Sequence, residues 1–468
     1  MSKLPLVEGL LRYTNENNIP FAMPGHKGGQ GFLSTDIGKE IYSNILKIDI
    51  TEVDGVDNLH NPDGIIKEAE ELLSRFYKSR KSYFLVNGST SGNLAMIFSA
   101  FSEGDKVIVE RNCHRSIFNG ILMRKLKPIY IRNKISNKFN APMSVDMEHF
   151  LSLIEDNKDA KGIIITYPNY YGVCPDLKFI INEAQKYNMK VLVDSAHGAH
   201  FGVHDALPES PVKLGADMVV MSCHKTLSSL TQTAYLHVGE NVDIEKVDFY
   251  VSAFLSTSPS YMLMASMDYG RYWIEEYGRK GYEELIKIAN IFRNKINKLK
   301  FLHVLDSDDI YNIDLSRYVI NLNKGLSGHK LLEYLRSRKI QAEMSDASNV
   351  VLIFSPFNKE QDFETLYKVL SECNVELLKE EQRIIYKLHI PKAELMPWQI
   401  VDMKKRSVFI NEAEGKVCGK AVVPYPPGIP LVNPGEIIDK TALDMIRYYV
   451  ENKVTILGID NEHITVVE

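Results

Sequence analysis

The chain has 468 residues, 45% of them hydrophobic and 25% charged, with a formal net charge of −5 at pH 7. That length exceeds what one hydrophobic core serves and predicts two or three domains. The dispersed, mildly acidic charge offers nothing for nucleic acid or an anionic membrane to hold. No run approaches the roughly 18 apolar residues of a membrane span. The amino terminus lacks the apolar centre of a secretory signal. Five cysteines without a C-x-x-C pair read as reduced thiols of a cytoplasmic protein.

Residues 1–60 read as an amino-terminal arm. It holds a short helix over Leu6–Asn15 and a glycine-rich loop at Met23–Gly31. No strand precedes that loop, so it reads as a flexible surface turn rather than a phosphate cradle. Thr51–Pro62 reads as a solvated loop. From Ile65 to Phe76 apolar residues recur at helical spacing. A strand at Tyr83–Val86 then leads through Asn87-Gly-Ser-Thr-Ser-Gly-Asn93 into a helix over Leu94–Phe101. Strands at Lys106–Val109, Pro128–Ile131 and Gly162–Thr166 alternate with helices at Ser116–Arg124, Val145–Glu155 and Leu177–Tyr187. Two wholly apolar strands follow, Val191–Val193 and Met218–Met221. This alternation predicts an α/β fold with a mostly parallel sheet covered on both faces. One helix is predicted from Tyr261 and a second over Arg279–Lys300, then strands at Tyr318–Asn321, Ala342–Met344 and Val350–Phe354. Residues 61–310 are expected to form a large domain and 311–468 a smaller α+β carboxyl-terminal one. Val422–Glu436 is too rich in proline for a helix or a central strand.

The chemistry sits at strand ends, where open α/β sheets place their ligands. Asp194 follows the first apolar strand, and Ser222-Cys-His-Lys-Thr226 follows the second. A lysine between apolar segments is desolvated, which lowers its pKa and makes it a nucleophilic amine. A carboxylate at Asp194 can hold a protonated aromatic nitrogen. Ser89, Thr90 and Ser91 stand where a new helix exposes unsatisfied N–H groups, an arrangement suited to phosphate. Ser222 can add a donor there, and His224 a positive charge. His114, after the strand at 106–109, can stack on a flat ring. His197, His200 and His204 invite a metal reading, but Gly198 and Gly202 interrupt any shared helix and the H-E-x-x-H glutamate is missing. No metal is expected. A lysine amine, an acid for a ring nitrogen, a phosphate cup and a stacking ring are together what pyridoxal 5′-phosphate requires. The usual nucleotide fingerprints are absent.

With these residues in view, the sequence resembles the bacterial ornithine/lysine/arginine decarboxylases, nearest to their short, Gram-positive-type arginine decarboxylase branch. The likeness rests on Pro24-Gly-His-Lys27, Asp57-Asn-Leu-His-Asn-Pro62, Asn87-Gly-Ser-Thr-Ser91, Arg111-Asn-x-His114, Asp194-Ser-Ala-His197, Ser222-x-His-Lys225, Ser256-Thr-Ser-Pro259, Tyr425-Pro-Pro-Gly-Ile-Pro430 and Pro434-Gly-Glu436. It implies an aspartate-aminotransferase-like fold of type I, with Lys225 bonded to the cofactor's aldehyde and Asp194 on its ring nitrogen. His114 would stack on the ring, and Ser89, Thr90 and Ser222 would hold the phosphate. His197 would lie near the phenolic oxygen and the substrate, and Lys225 or His224 would reprotonate Cα. Ser256 and Thr257 would reach a neighbouring subunit's phosphate, making a homodimer the smallest active unit. Glu436, with Asp57 second, would meet the distal cation of a basic amino acid. Longer members carry a further domain ahead of the Pro-Gly-His-Lys motif and assemble into rings. Here the motif begins at residue 24, so neither is expected.

Overall fold

A seven-stranded sheet carries the fold. The computed structural model describes residues 3–310, 312–380, 389–424, 430–451 and 454–468. Its main strands are β1 (Lys81–Leu85), β2 (Lys106–Glu110), β3 (Lys127–Ile131), β4 (Gly162–Thr166), β5 (Lys190–Asp194), β6 (Met218–Met221) and β7 (Ala234–Val238). They lie in the order β1-β7-β6-β5-β4-β2-β3. All pair in parallel except β7, which runs antiparallel to both neighbours. The link from β6 to β7 forms a short helix and a turn and returns the chain antiparallel beside β6.

Four helices position the site: α1 (Gly88–Ala100), α2 (Arg115–Met123), α3 (Cys223–Thr226) and α4 (Tyr261–Ile296). Helix α1 begins at Gly88 rather than at the expected Leu94. Its small residues form the first two turns because the helix crosses the sheet closely. A Cβ on Gly92 would stand 2.6 Å from Leu85 and 3.0 Å from Val220. Helix α4 is one rod of 36 residues where two helices are expected from the sequence. Its glycines mark tight packing, not a break: a Cβ on Gly281 would stand 2.8 Å from Trp273 and 3.1 Å from Pro356.

Beyond α4, an antiparallel sheet is built from Leu302–Val304, Arg317–Leu322, Asn349–Ile353 and Met344–Ser345. The strand expected over Ala342–Met344 is broken at Glu343. Ile340–Ala342 pairs in parallel with Ile19–Phe21 of the arm, and Met344–Ser345 pairs with Asn349–Ile353. The apolar core of this part is continuous with that of the large sheet. A second cluster, from Val408 to Val466, packs under the helix Lys440–Glu451. Residues 425–429 of the proline-rich motif lie outside the described residues. Among the described residues no helix is long and apolar enough to cross a membrane.

Strand β1 is an edge, and the helix Ile65–Tyr77 covers it. From that helix the carboxyl of Glu70 accepts the Phe84 N–H at 2.9 Å. Burial pushes Glu70 up to about 8, against the pull of that N–H and of Lys81, while Asp248 and Asp57 add to the rise. The folded protein therefore holds a proton that the unfolded chain has released. The stability this group contributes is full below its unfolded value and is lost as pH rises towards 8. Glu70→Gln keeps the acceptor and removes the titration. Its thermal midpoint is expected to fall less than the wild type's between about pH 5 and 9, and equal slopes would refute the assignment.

Candidate active site

The carboxyl ends of β5 and β6 bring the central groups together. Lys225, on α3, sets Nζ 3.1 Å from Nε2 of His197, on the turn after β5. Burial is the main force lowering the Lys225 pKa; Asp194 and Glu343 oppose it and Arg317 adds to it. His197 is held well below its usual value by burial, then by Lys225 and Arg317. A neutral imidazole thus shares a hydrogen bond with the amine through Nε2. Asp194 is almost fully buried. Its Oδ2 accepts from Asn93 Nδ2 at 2.8 Å and its Oδ1 from the Ala196 N–H at 3.1 Å. Asn93 also donates to Ser116 Oγ at 2.8 Å. His114 caps α2, and its Nδ1 accepts from the Ser116 N–H at 3.2 Å. Burial lowers its pKa, and Lys225 adds to that against Asp194.

The same cavity is lined by Ser89, Asn112, Thr166, Pro168, Tyr170 and Ala196. Several polar atoms around it are buried without a partner: Ser222 Oγ, Asn112 Oδ1, Thr166 Oγ1 and His197 Nδ1. Buried polar atoms are normally paired, so this set fits a polar ligand of several functional groups, pyridoxal 5′-phosphate among them. Ser89 and Thr90 stand on the first turn of α1, but the Ser91 hydroxyl is spent on Gly88 O at 2.8 Å. His224 donates from Nδ1 to Thr233 O, and burial lowers it to about 4. Burial thus favours its neutral form, whereas a cation was expected from the sequence. Ser256 and Thr257 are exposed on the loop before α4 and do not line the cavity. The three histidines of the discounted metal cluster go to different partners. His197 meets Lys225, His200 meets Asp314, and His204 caps the Ala206 N–H.

Residues 4–320 match the sequence profile of the Orn/Lys/Arg decarboxylase major domain, and residues 385–456 match that family's C-terminal domain. The chain belongs to the Orn/Lys/Arg decarboxylase family. It is 33% identical to an arginine decarboxylase of Bacillus subtilis, over 94% of this chain and 92% of that one. It is 32% identical to an arginine decarboxylase of Bacillus anthracis, over 97% and 94%. Among solved structures, the constitutive lysine decarboxylase of Escherichia coli superimposes with a TM-score of 0.77 at 18% identity, over 99% of this chain and 82% of that one. That likeness shows the fold, an aspartate-aminotransferase-like α/β arrangement of type I.

Within this decarboxylase the two acids expected to meet the substrate's distal cation are engaged elsewhere. Asp57 accepts backbone N–H groups from Asn58, Asp63, Gly64, Ile66 and Lys67 at 2.8–3.2 Å, capping the helix at 65–77. Burial pushes its carboxyl up, but these donors hold it down at about 2. Glu436 is buried in a bidentate pair with Arg111, at 2.5 and 2.8 Å, and also accepts the Asn433 N–H. The glycine-rich loop is no loose turn. Gly25 donates to His224 O at 2.8 Å, and a Cβ on it would stand 2.5 Å from Leu227 O. Lys27 is buried, donating to Ala22 O and Ile353 O, and burial lowers it to about 7. The loop thus clamps α3 to the small sheet. Sequence reading missed Asn93, Asn112, Thr166, Tyr170 and Glu343. Thr166 closes an expected strand, and Asn112 and Asn93 lie within quoted motifs, but no role was read for them.

Proposed function

We propose that the protein is a pyridoxal 5′-phosphate-dependent arginine decarboxylase that releases CO₂ and agmatine. The observation that carries this is the Lys225–His197 pair at 3.1 Å, one strand from an Asp194 anchored by Asn93. The names of the Bacillus relatives favour arginine over lysine or ornithine. When bound, the cofactor supplies a sink for the electrons left on Cα as CO₂ departs. Lys225, kept towards its free base by burial, is the amine that would take the cofactor's aldehyde. Asp194 Oδ1 and Oδ2 would hold the proton of the ring nitrogen, and the His114 ring would cover one face. Ser89, Thr90, Ser222 and the first turn of α1 would hold the phosphate. The short Lys225–His197 contact gives a path for a proton towards Cα.

For the distal cation we infer Glu343, at the break between two small-sheet strands. Its Oε2 accepts the Met23 N–H at 2.9 Å, and its charge reaches both Lys225 and Lys27. Ser256 and Thr257, turned outward, fit a reach into a second subunit, and hence a homodimer with shared sites. Five cysteines without disulfides fit a reducing cytoplasm.

Purified protein loaded with cofactor is to be assayed against arginine, lysine and ornithine, with CO₂, amine and 2-oxo acid all measured. Agmatine with stoichiometric CO₂ is expected. An oxo acid without CO₂ would sink the decarboxylase reading. Glu343→Gln is expected to raise the KM for arginine by about tenfold or more, and an unchanged KM would remove Glu343 from the substrate site.

A further inference from the structure

Behind the cavity wall runs a buried polar circuit that the proposed chemistry does not use. Arg317, at the start of the strand Arg317–Leu322, is fully buried. It sets Nε and Nη2 on Asp314 Oδ2, at 3.0 and 2.6 Å, and donates through Nη1 to Tyr170 O at 3.1 Å. The other Asp314 oxygen accepts from the Ser316 amide and hydroxyl and faces His200 Nε2 at 3.2 Å. The loop bearing Tyr170 is wrapped around the arginine. Gly172 has φ +84°, and a Cβ there would stand 2.6 Å from Arg317 Cδ.

From this pair the contacts return to Lys225 by two routes. The Tyr170 ring meets His197 edge-on at 4.6 Å, and its centre is 6.0 Å from Lys225 Nζ. On the other side His200 stacks on Tyr282 at 5.1 Å, and the Tyr282 hydroxyl donates to Thr226 O, beside Lys225 in sequence. A buried ion pair contributes little net stability compared with an apolar pair of the same volume. Its presence behind the reactive amine therefore calls for another explanation.

We propose that Arg317, held by Asp314, is a positioning residue for the Lys225–His197 pair: through the Tyr170 carbonyl it seats the Tyr170 ring against His197, and its guanidinium presents a fixed positive charge to both nitrogens. The charged and titratable groups facing Lys225 are Asp194, Glu343, Arg317, His197, His114 and His224. Those facing His197 are Lys225, Arg317, Asp314 and His114. In both sets Arg317 is a cation whose own pairing fixes where it sits. Its charge works with burial to bias amine and imidazole towards their neutral forms, in which the amine can act as a nucleophile.

The inference rests on the decarboxylase reading, and two variants test it. Arg317→Lys keeps the charge and gives up the planar fork. Arg317→Met with Asp314→Asn removes both charges without leaving a buried carboxylate unpaired. Each protein, loaded with pyridoxal 5′-phosphate, is titrated by the visible absorbance of the bound cofactor and assayed for CO₂. The double variant is expected to raise the midpoint of that titration by about one pH unit. Arg317→Lys is expected to keep the midpoint and to lower CO₂ release by about ten- to a hundredfold. A double variant with the wild-type midpoint overturns the proposal, as does an Arg317→Lys protein with wild-type CO₂ release. If the double variant does not fold, the lysine variant decides. A wild type that binds cofactor but releases no CO₂ from the three amino acids defeats the decarboxylase reading, while the titration still judges Arg317.

Discussion

Lys225→Ala is expected to lower CO₂ release from arginine by on the order of 10⁴-fold or more, because on the proposed reading this amine would bond the cofactor and alanine offers no nucleophile in its place. The melting temperature is expected to hold or rise, since alanine relieves the burial that drives down the amine's pKa. The nearest rival is Lys27, also buried and lowered to about 7. Its three-donor ammonium is committed to Ala22 O and Ile353 O, and those bonds tie the arm to the small sheet. Lys27→Met should therefore lose stability before it loses chemistry. A Lys225→Ala protein that kept a hundredth of the wild-type rate would move the reaction away from this lysine.

Removing Glu436 is expected to have the largest effect on folding. Both of its oxygens bind the Arg111 guanidinium, which also lies 4.8 Å from the centre of the Tyr130 ring and donates to Leu431 O. Glu436→Ala leaves an arginine buried and uncompensated, at a cost of about 3–5 kcal/mol. Replacing both residues together, as Arg111→Met with Glu436→Leu, should recover much of that loss, because an apolar pair needs no partner. Urea unfolding of the two singles and the double measures the coupling. A single variant within about 1 kcal/mol of wild type would show that the pair is not the join it looks to be. Arg111 precedes His114 by three residues, so loosening this pair should also weaken cofactor binding.

Two of the expected site residues that line the cavity, Asp194 and Lys225, share one physical property. Asp194 ends an uninterrupted apolar strand and Lys225 sits on the short helix just after another, and a polar group at such a junction has little choice of surroundings. The fold was legible for the same reason, because alternating apolar runs leave few topologies. Glu436 and Asp57 have partners that the sequence did not show, because an acid's partner is set by tertiary contact. Arg111 lies 325 residues from Glu436, and the N–H groups of residues 58, 63, 64, 66 and 67 converge on Asp57 only when the loop folds back on it. Asn93 was missed because the helix was expected to start at Leu94, which left Asn93 in the turn; it lies inside α1, wholly buried against Asp194. The strand break at Glu343 follows from Ile340–Ala342 pairing with the arm, a contact no local pattern carries.

Helix α4 acts as a ruler. At about 1.5 Å per residue its 36 residues span roughly 54 Å. Along it Tyr261 bonds Asp57 O, Tyr269 bonds Gly31 O, Tyr282 bonds Thr226 O, and Phe292 stacks with Phe363. The loop before the helix at 65–77, the arm, the short helix bearing Lys225 and the small sheet are thus spaced by one rigid object. A single inserted residue would turn everything beyond it by about 100° and break the correspondence. Length changes in relatives should therefore fall outside residues 261–292, and chimaeras of this enzyme should be joined elsewhere.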